Sequence, residues 1–284
     1  MSDEVRYVLV TGATGQLGSD IVKELNKRRI HNIGISSKDL DITDDEAVFN
    51  FFNSYKFSHV IHTAAYTKVD AAEDDKDTNY EVNVHGTENI VGQCYKYNIP
   101  MTYFSTDYVF GGEGEKAFKE EDSVNPLSEY ANAKYKGETI VKRLNDYFII
   151  RISWVFGKNG NNFVKTMLNL AKTKKELNIV SDQIGSPSYT VDLSKEVIDV
   201  ILSKKYGVYH ITNEGYVSWA DFAREIFKLK KIDIKVNDIS TEEYNAKAKR
   251  PKNSRLDKSK LYREGFAKMP TWQDALYRYL NVDE

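Results

Sequence analysis

Tyr130 and Lys134 stand four residues apart in the segment SEYANAK. On a helix that spacing puts both side chains on one face. A phenol beside an ammonium is a proton-transfer device. The phenol titrates near pH 10, and acid–base work near neutrality asks for about three units less, or roughly 4 kcal/mol. A nearby ammonium, together with a second cation from a bound cofactor, can supply that by favouring the phenolate. A little upstream, the run FSTDY at Phe104–Tyr108 offers hydroxyls. Ser105 or Thr106 could hydrogen-bond a reacting carbonyl oxygen.

A second constellation lies near the start. Thr11–Gly18 reads TGATGQLG, a GxxGxxG pattern between a strand-like run and a helix-like run. Gly12 allows the tight turn, Gly15 lets the backbone approach a diphosphate, and Gly18 lets helix and strand pack closely. The free N–H groups and dipole of the helix start favour the anion. This is the signature of a dinucleotide site. The next strand ends Ile35-Ser36-Ser37-Lys38. NAD binding asks for a carboxylate there, to hold the ribose 2′-hydroxyl. Ser36, Ser37 and Lys38 instead offer hydroxyls and a positive charge, which favours a 2′-phosphate and NADPH. Asp39 follows directly, so NADH stays open. Lys38 read without a ligand is a solvated loop lysine.

The elements that must position these groups alternate regularly. Short strands are expected at Arg6–Val10, His31–Ile35, Ser58–His62, Met101–Phe104 and Tyr147–Ile152. Helical periodicity fills Gln16–Lys27, Asp44–Tyr55, Asp77–Tyr97 and Glu129–Asn145. That alternation predicts parallel βαβ units and an α/β fold, a Rossmann-type doubly wound sheet. The Tyr–Lys helix then precedes the fifth strand and can face the crevice. Beyond Trp154 the rhythm changes. Helices are expected at Asn162–Thr173, Val191–Ser203, Ser218–Leu229 and Thr271–Leu280, a strand at Leu177–Val180, and one at Tyr206–Ile211 that could rejoin the sheet. The organisation expected is a dinucleotide-binding domain over 1–155, rejoined by about 188–212, and a smaller C-terminal substrate domain over 156–187 and 213–284. The 284 residues also suit about two domains.

Composition narrows the function classes. Forty basic against 42 acidic residues leave a net charge of −2, which excludes a uniformly basic polyanion binder. A 41% hydrophobic content suits a packed core rather than a disordered chain. No uncharged apolar run reaches the roughly 18 residues of a membrane helix. The single cysteine, Cys94, forbids an intrachain disulfide. A soluble cytoplasmic protein is expected, with no nucleic-acid or membrane partner.

Together these segments resemble the extended short-chain dehydrogenase/reductase superfamily and, within it, the dTDP-4-dehydrorhamnose reductases. The glycine turn and the Tyr–Lys pair carry the superfamily resemblance. STDYVFGG at Ser105–Gly112, GNNFVKTM at Gly160–Met167, DQIGSPSYTVDL at Asp182–Leu193 and KRPKNSRLD at Lys249–Asp257 carry the narrower one. DLDITD at Asp39–Asp44, HTAAYTKVDAAE at His62–Glu73 and RISWVFG at Arg151–Gly157 extend it almost end to end. The resemblance implies reduction of the C4 keto group of dTDP-4-dehydro-L-rhamnose by NADPH or NADH. Thr106 would polarise the carbonyl, Tyr130 would protonate its oxygen, and Lys134 would hold the nicotinamide ribose and tune Tyr130. Tyr108 and Trp154 would line the sugar pocket. Gln16, Leu17, Asp41, Ile42, Ala64, Ala65 and Tyr66 would line the cofactor site, and Asn83 would be structural. Ala131 stands where the family usually has glycine, a change a helix tolerates. Family members that form a magnesium-linked dimer use carboxylates with no match here, so no metal is expected; a homodimer is allowed. The same resemblance reaches the NADP-binding regulatory subunit of methionine adenosyltransferase, and reductases of other 4-keto sugars. These are the alternatives.

Other residues carry weaker readings. Lys247, Lys249, Arg250, Lys252 and Arg255 form a basic loop. Arg250 or Arg255 could grip a diphosphate, or the loop could be merely solvated. Gln183 and Ser186 could border substrate or build a turn. His59 and His62, three apart on a strand, point to opposite faces and suit a core better than a metal. His31, His85 and His210 have no evident partner. Cys94 reads as core, Phe49, Phe51 and Phe52 as sheet-packing residues, and Glu73–Asp75 as a solvated loop.

Overall fold

In the computed structural model, residues 5–281 are described. The chain runs β1 (Tyr7–Thr11), α1 (Gln16–Lys27), β2 (Asn32–Ile35), α2 (Asp45–Ser54), β3 (Phe57–His62), α3 (Lys76–Tyr80) and α4 (Gly86–Tyr97). It continues with β4 (Met101–Thr106), α5 (Glu129–Val141), β5 (Tyr147–Ile152), β6 (Val155–Phe156), α6 (Phe163–Leu170), β7 (Glu176–Val180), β8 (Ile184–Gly185) and β9 (Ser188–Tyr189). It ends with α7 (Thr190–Ser203), β10 (Gly207–His210), β11 (Val217–Ser218), α8 (Trp219–Leu229), β12 (Lys235–Ile239), α9 (Thr241–Tyr244), α10 (Ser259–Arg263) and α11 (Trp272–Asn281).

Six strands form one parallel sheet in the order β10-β5-β4-β3-β1-β2. Central strands such as β4 are buried on both faces, as a sheet covered by helices on both sides requires. Leu17, Ile21 and Leu25 of α1 and Leu193 and Val197 of α7 pack on one face. Val48 and Phe52 of α2, Ile90 and Cys94 of α4 and Ile140 of α5 pack on the other. A third core around Phe156, Val164, Phe222, Trp272 and Leu276 belongs to the C-terminal elements. There β7 pairs parallel with β12.

The strand order reverses between β1 and its neighbours β2 and β3, so the carboxyl ends of β1, β3, β4 and β5 open a crevice there. One expected element changes form. The long helix over Asp77–Tyr97 is interrupted by a π turn at Glu81–His85 between α3 and α4. A π turn inserts one residue into the helical ladder. It brings Asn83, which is buried, under the loop after β3: its Oδ1 accepts from Tyr66 N at 3.1 Å and its Nδ2 donates to Tyr66 O at 2.9 Å.

Several minor expectations are corrected. Phe49 is exposed beneath the Lys96 ammonium rather than packed on the sheet. His210 is fully buried and does have partners, Asp257 O at 3.1 Å and Arg151 at 3.4 Å. Glu73 is not merely solvated: it accepts from Glu129 N at 2.9 Å, at the start of α5. Among the described residues, no helix is long and apolar enough to cross a membrane.

Candidate active site

The crevice holds one continuous cavity of about 1080 Å³. That is at or above the upper end for a single small ligand, roughly 300–1,000 Å³, so there is room for two ligands side by side. One end is the glycine turn. Gly12 has φ +66°, a left-handed conformation, and a Cβ there would fall 2.7 Å from Ala64 N. A Cβ on Gly18 would fall 2.3 Å from Gly12 O. Side chains are therefore excluded at both positions, and α1 closes tightly onto the turn. Helix α1 also starts without a side-chain cap and without an acid in its first turn. Helices α2, α5, α6 and α8 are all capped by Asp, Ser or Asn. An uncapped helix start on a glycine turn suits an anion.

Gly12, Gly15, Gln16, Leu17, Gly18, Ser36, Ser37, Asp41, Ile42, Ala64, Ala65 and Tyr66 all line this cavity. Lys38 does not; it lies exposed beyond the rim. Asp39 is turned inward on its own loop. Its Oδ2 accepts from Ser36 N at 2.8 Å and Ser36 Oγ at 2.7 Å. These bonds hold the Asp39 carboxyl below its usual range, and the carboxylate is occupied within the turn.

At the other end lie Ser105, Thr106, Asp107, Tyr108, Tyr130, Lys134 and Trp154. Thr106 ends β4. Tyr130 and Lys134 come from the first turns of α5, capped by Ser128, whose Oγ accepts from Ala131 N at 3.3 Å. Lys134 is buried with its ammonium 4.1 Å from the Tyr103 ring centroid. Burial pushes it down to about 7, and Glu138 opposes that. Tyr130 is pushed up, chiefly by burial and then by the Asp107 carboxylate, while a hydrogen bond with Thr106 pulls it down. The expected lowering of the phenol by Lys134 is therefore not supplied by the chain itself. The ammonium is costly in this apolar wall, and what the chain favours is a protonated Tyr130. Ser105 Oγ is buried with no hydrogen-bond partner among the described residues.

Trp154 adopts a left-handed backbone, φ +46°, which is unusual for a bulky residue. Its ring stacks on Trp219 at 3.4 Å and 6°, and both line the cavity with Phe163. Arg250 is near the site but not on the cavity wall. It grips Asp70 through two bonds of 2.9 and 2.6 Å and bears on Tyr108. Arg255 is bonded to Asn253 at 3.0 Å and lies over Tyr216. Lys247 pairs with Asp74, and Lys252 with Asp182 and Glu242, so much of the basic loop is neutralised by acids. Gln183 bonds Thr241 and Ser186 bonds Gly215 O; both serve loop architecture.

Sequence reasoning missed Asp107, Trp219 and Phe163. Asp107 lay inside a quoted motif, and its burial among hydroxyls could not be read there. Trp219 and Phe163 come from distant segments that only folding brings to the crevice.

A doubly wound sheet, a glycine turn on an uncapped helix and a Thr–Tyr–Lys set in one crevice define an extended short-chain dehydrogenase/reductase. The sequence matches the family described as RmlD substrate binding domain over residues 6–284. It is 41% identical to a dTDP-4-dehydrorhamnose reductase of Aggregatibacter actinomycetemcomitans, covering 95% of this chain and 96% of that one. A dTDP-4-dehydrorhamnose reductase from Clostridium acetobutylicum superposes with a TM-score of 0.94 at 44% identity, covering 97% and 99% of the two chains. One from Bacillus anthracis, solved in complex with NADP, superposes with a TM-score of 0.94 at 40% identity, covering 97% and 98%. The chain belongs to the dTDP-4-dehydrorhamnose reductase family.

Proposed function

We propose that the chain reduces the C4 keto group of dTDP-4-dehydro-L-rhamnose to give dTDP-L-rhamnose, with NADPH as the preferred reductant. The observation that carries this reading is the meeting of Thr106, Tyr130 and Lys134 with the glycine turn in one cavity. Gly12, Gly15 and the start of α1 would hold the dinucleotide diphosphate. Ser36 and Ser37 would face the ribose phosphate, with the charge of Asp39 already satisfied. When bound, the reduced nicotinamide supplies a hydride for the sugar carbon.

The chain's own groups do the rest. Tyr130, kept protonated by its surroundings, is the acid for the carbonyl oxygen. Thr106 polarises that oxygen. Lys134 holds the ribose, and an electronegative ligand there would restore its charge and with it the electrostatic pull on the phenol. The Trp154–Trp219 stack and Tyr108 form the sugar-side wall. Arg250, held by Asp70, would reach a substrate diphosphate by exchanging partners. The lobes that close on substrate are taken as 1–155 with 188–212, and 156–187 with 213–284. We place the enzyme in the cytoplasm.

The test is NADPH oxidation with enzymatically generated dTDP-4-dehydro-L-rhamnose, repeated with NADH. Oxidation yielding dTDP-L-rhamnose, faster with NADPH, is expected. No oxidation while NADPH still binds would overturn the substrate assignment.

A further inference from the structure

Asp107 is almost wholly buried just after β4 and lines the cavity beside Thr106. Three segments send it hydroxyl groups. Thr106 Oγ1 donates to Oδ1 at 2.9 Å, and Ser153 Oγ, just past β5, donates to Oδ2 at 2.9 Å. Ser254, from the C-terminal loop, adds a third.

The hydrogen bonds of Thr106 matter most. A hydroxyl has one proton to give and two lone pairs. Here its proton goes to Asp107. One of its lone pairs accepts from Tyr108 N at 3.2 Å. No proton is left to polarise a carbonyl. A carboxylate holds an O–H donor about twice as firmly as a neutral acceptor does, so an ionised Asp107 retains that proton. A protonated Asp107 reverses the bond: it donates to Thr106 Oγ1, and the Thr106 proton is free to turn towards the substrate.

We infer that Asp107 is a positioning residue whose protonation decides where the Thr106 hydroxyl points, and so gates the reduction. No bond to substrate forms on Asp107; one proton is taken from solvent and one hydrogen bond reverses. Burial pushes the Asp107 carboxyl up to about 6 against its three hydroxyl donors, within reach of neutral pH. The ionisable groups around it are Tyr130 on α5, Tyr108 on its own turn and Arg250 beyond Tyr108. Arg151, on β5, is committed to Glu138.

The inference rests on the reductase reading, and the experiment separates the two. For the wild type, kcat should fall about fiftyfold between roughly pH 6 and 8. In the ligand-free protein, an infrared carboxyl band absent from Asp107→Asn should titrate within about half a unit of that limb. In Asp107→Asn the amide nitrogen donates permanently to Thr106, and the falling limb should vanish. Should that variant not fold, Ser153→Ala removes one donor to the carboxylate and should move the limb upward by about half a unit or more. A flat wild-type profile, or a limb unchanged in both variants, overturns the inference. No wild-type turnover at any pH overturns the reductase reading instead.

Discussion

Tyr130 and Lys134 make opposite demands on the same patch of wall. Replacing Tyr130 with Phe should lower kcat by about 10²–10⁴-fold, the usual worth of a general acid. NADPH affinity should stay near wild type; stopped-flow kinetics and fluorescence titration check both. A loss under about tenfold would remove the acid role. Lys134 carries a stability cost. Its pKa in the fold is about 7 against 10.5 for an ordinary lysine. The unfolded chain therefore binds the extra proton between those values, and the full penalty is present below pH 7. Lys134→Met should abolish most turnover yet raise the thermal midpoint near pH 6. That advantage should shrink as pH rises towards 10, because the wild type then sheds its penalty. A pH series of melting curves decides it.

Helix α5 is the element that sets the geometry, and it is pinned to the sheet by a buried ion pair. Arg151 of β5 reaches Glu138 of α5 through bonds of 2.9 and 2.8 Å, both residues almost fully buried. Removing one partner strands a charge. Arg151→Met should cost about 3–5 kcal/mol, whereas Arg151→Met with Glu138→Leu should recover most of it. Urea unfolding of the two variants measures the difference. The helices and strands of this sheet were legible from periodicity, and Gln16–Lys27 matches to the residue. The π turn at Glu81–His85 was not. An inserted residue leaves the apolar pattern of Asp77–Tyr97 readable as one helix, and the cause is spatial: the Tyr66 peptide that Asn83 clamps. Thr106, Tyr130 and Lys134 could be found because their types and places are local. Asp107 could not, because its meaning comes from Ser153 and Ser254.

The whole molecule keeps three imidazoles neutral in its interior. His59 and His62 are pushed down to about 3 and His210 well below 6.5, all by burial first. Asp107 and Glu196 go the other way, up to about 6 and about 7. Between about pH 6 and 4.5 unfolding takes up three protons on the imidazoles, and the raised carboxyls of Asp107, Glu196 and Glu120 give part of that back. Each proton of net uptake means a loss of about 1.4 kcal/mol per pH unit on acidification. Below about pH 4.5 the unfolded carboxyls protonate too, and the loss should steepen. Denaturant midpoints across that range check the two slopes. A midpoint that does not move from pH 6 to 4 would contradict the neutral imidazoles.

The route of the chain has a consequence for synthesis. Helix α7, which packs beside α1 on one face of the sheet, arrives only after the polypeptide has left the sheet at Ile152 and built β6 to β9. At 5–20 residues per second, a ribosome needs roughly 2–10 s to go from Ile152 to the end of α7. For that interval the flank of α1 and the strip of sheet that Leu193 and Val197 will cover lie bare beside a dinucleotide turn already translated. The nascent chain should engage a holdase during that window, and ribosome-bound chains stalled before and after α7 should differ in chaperone crosslinking.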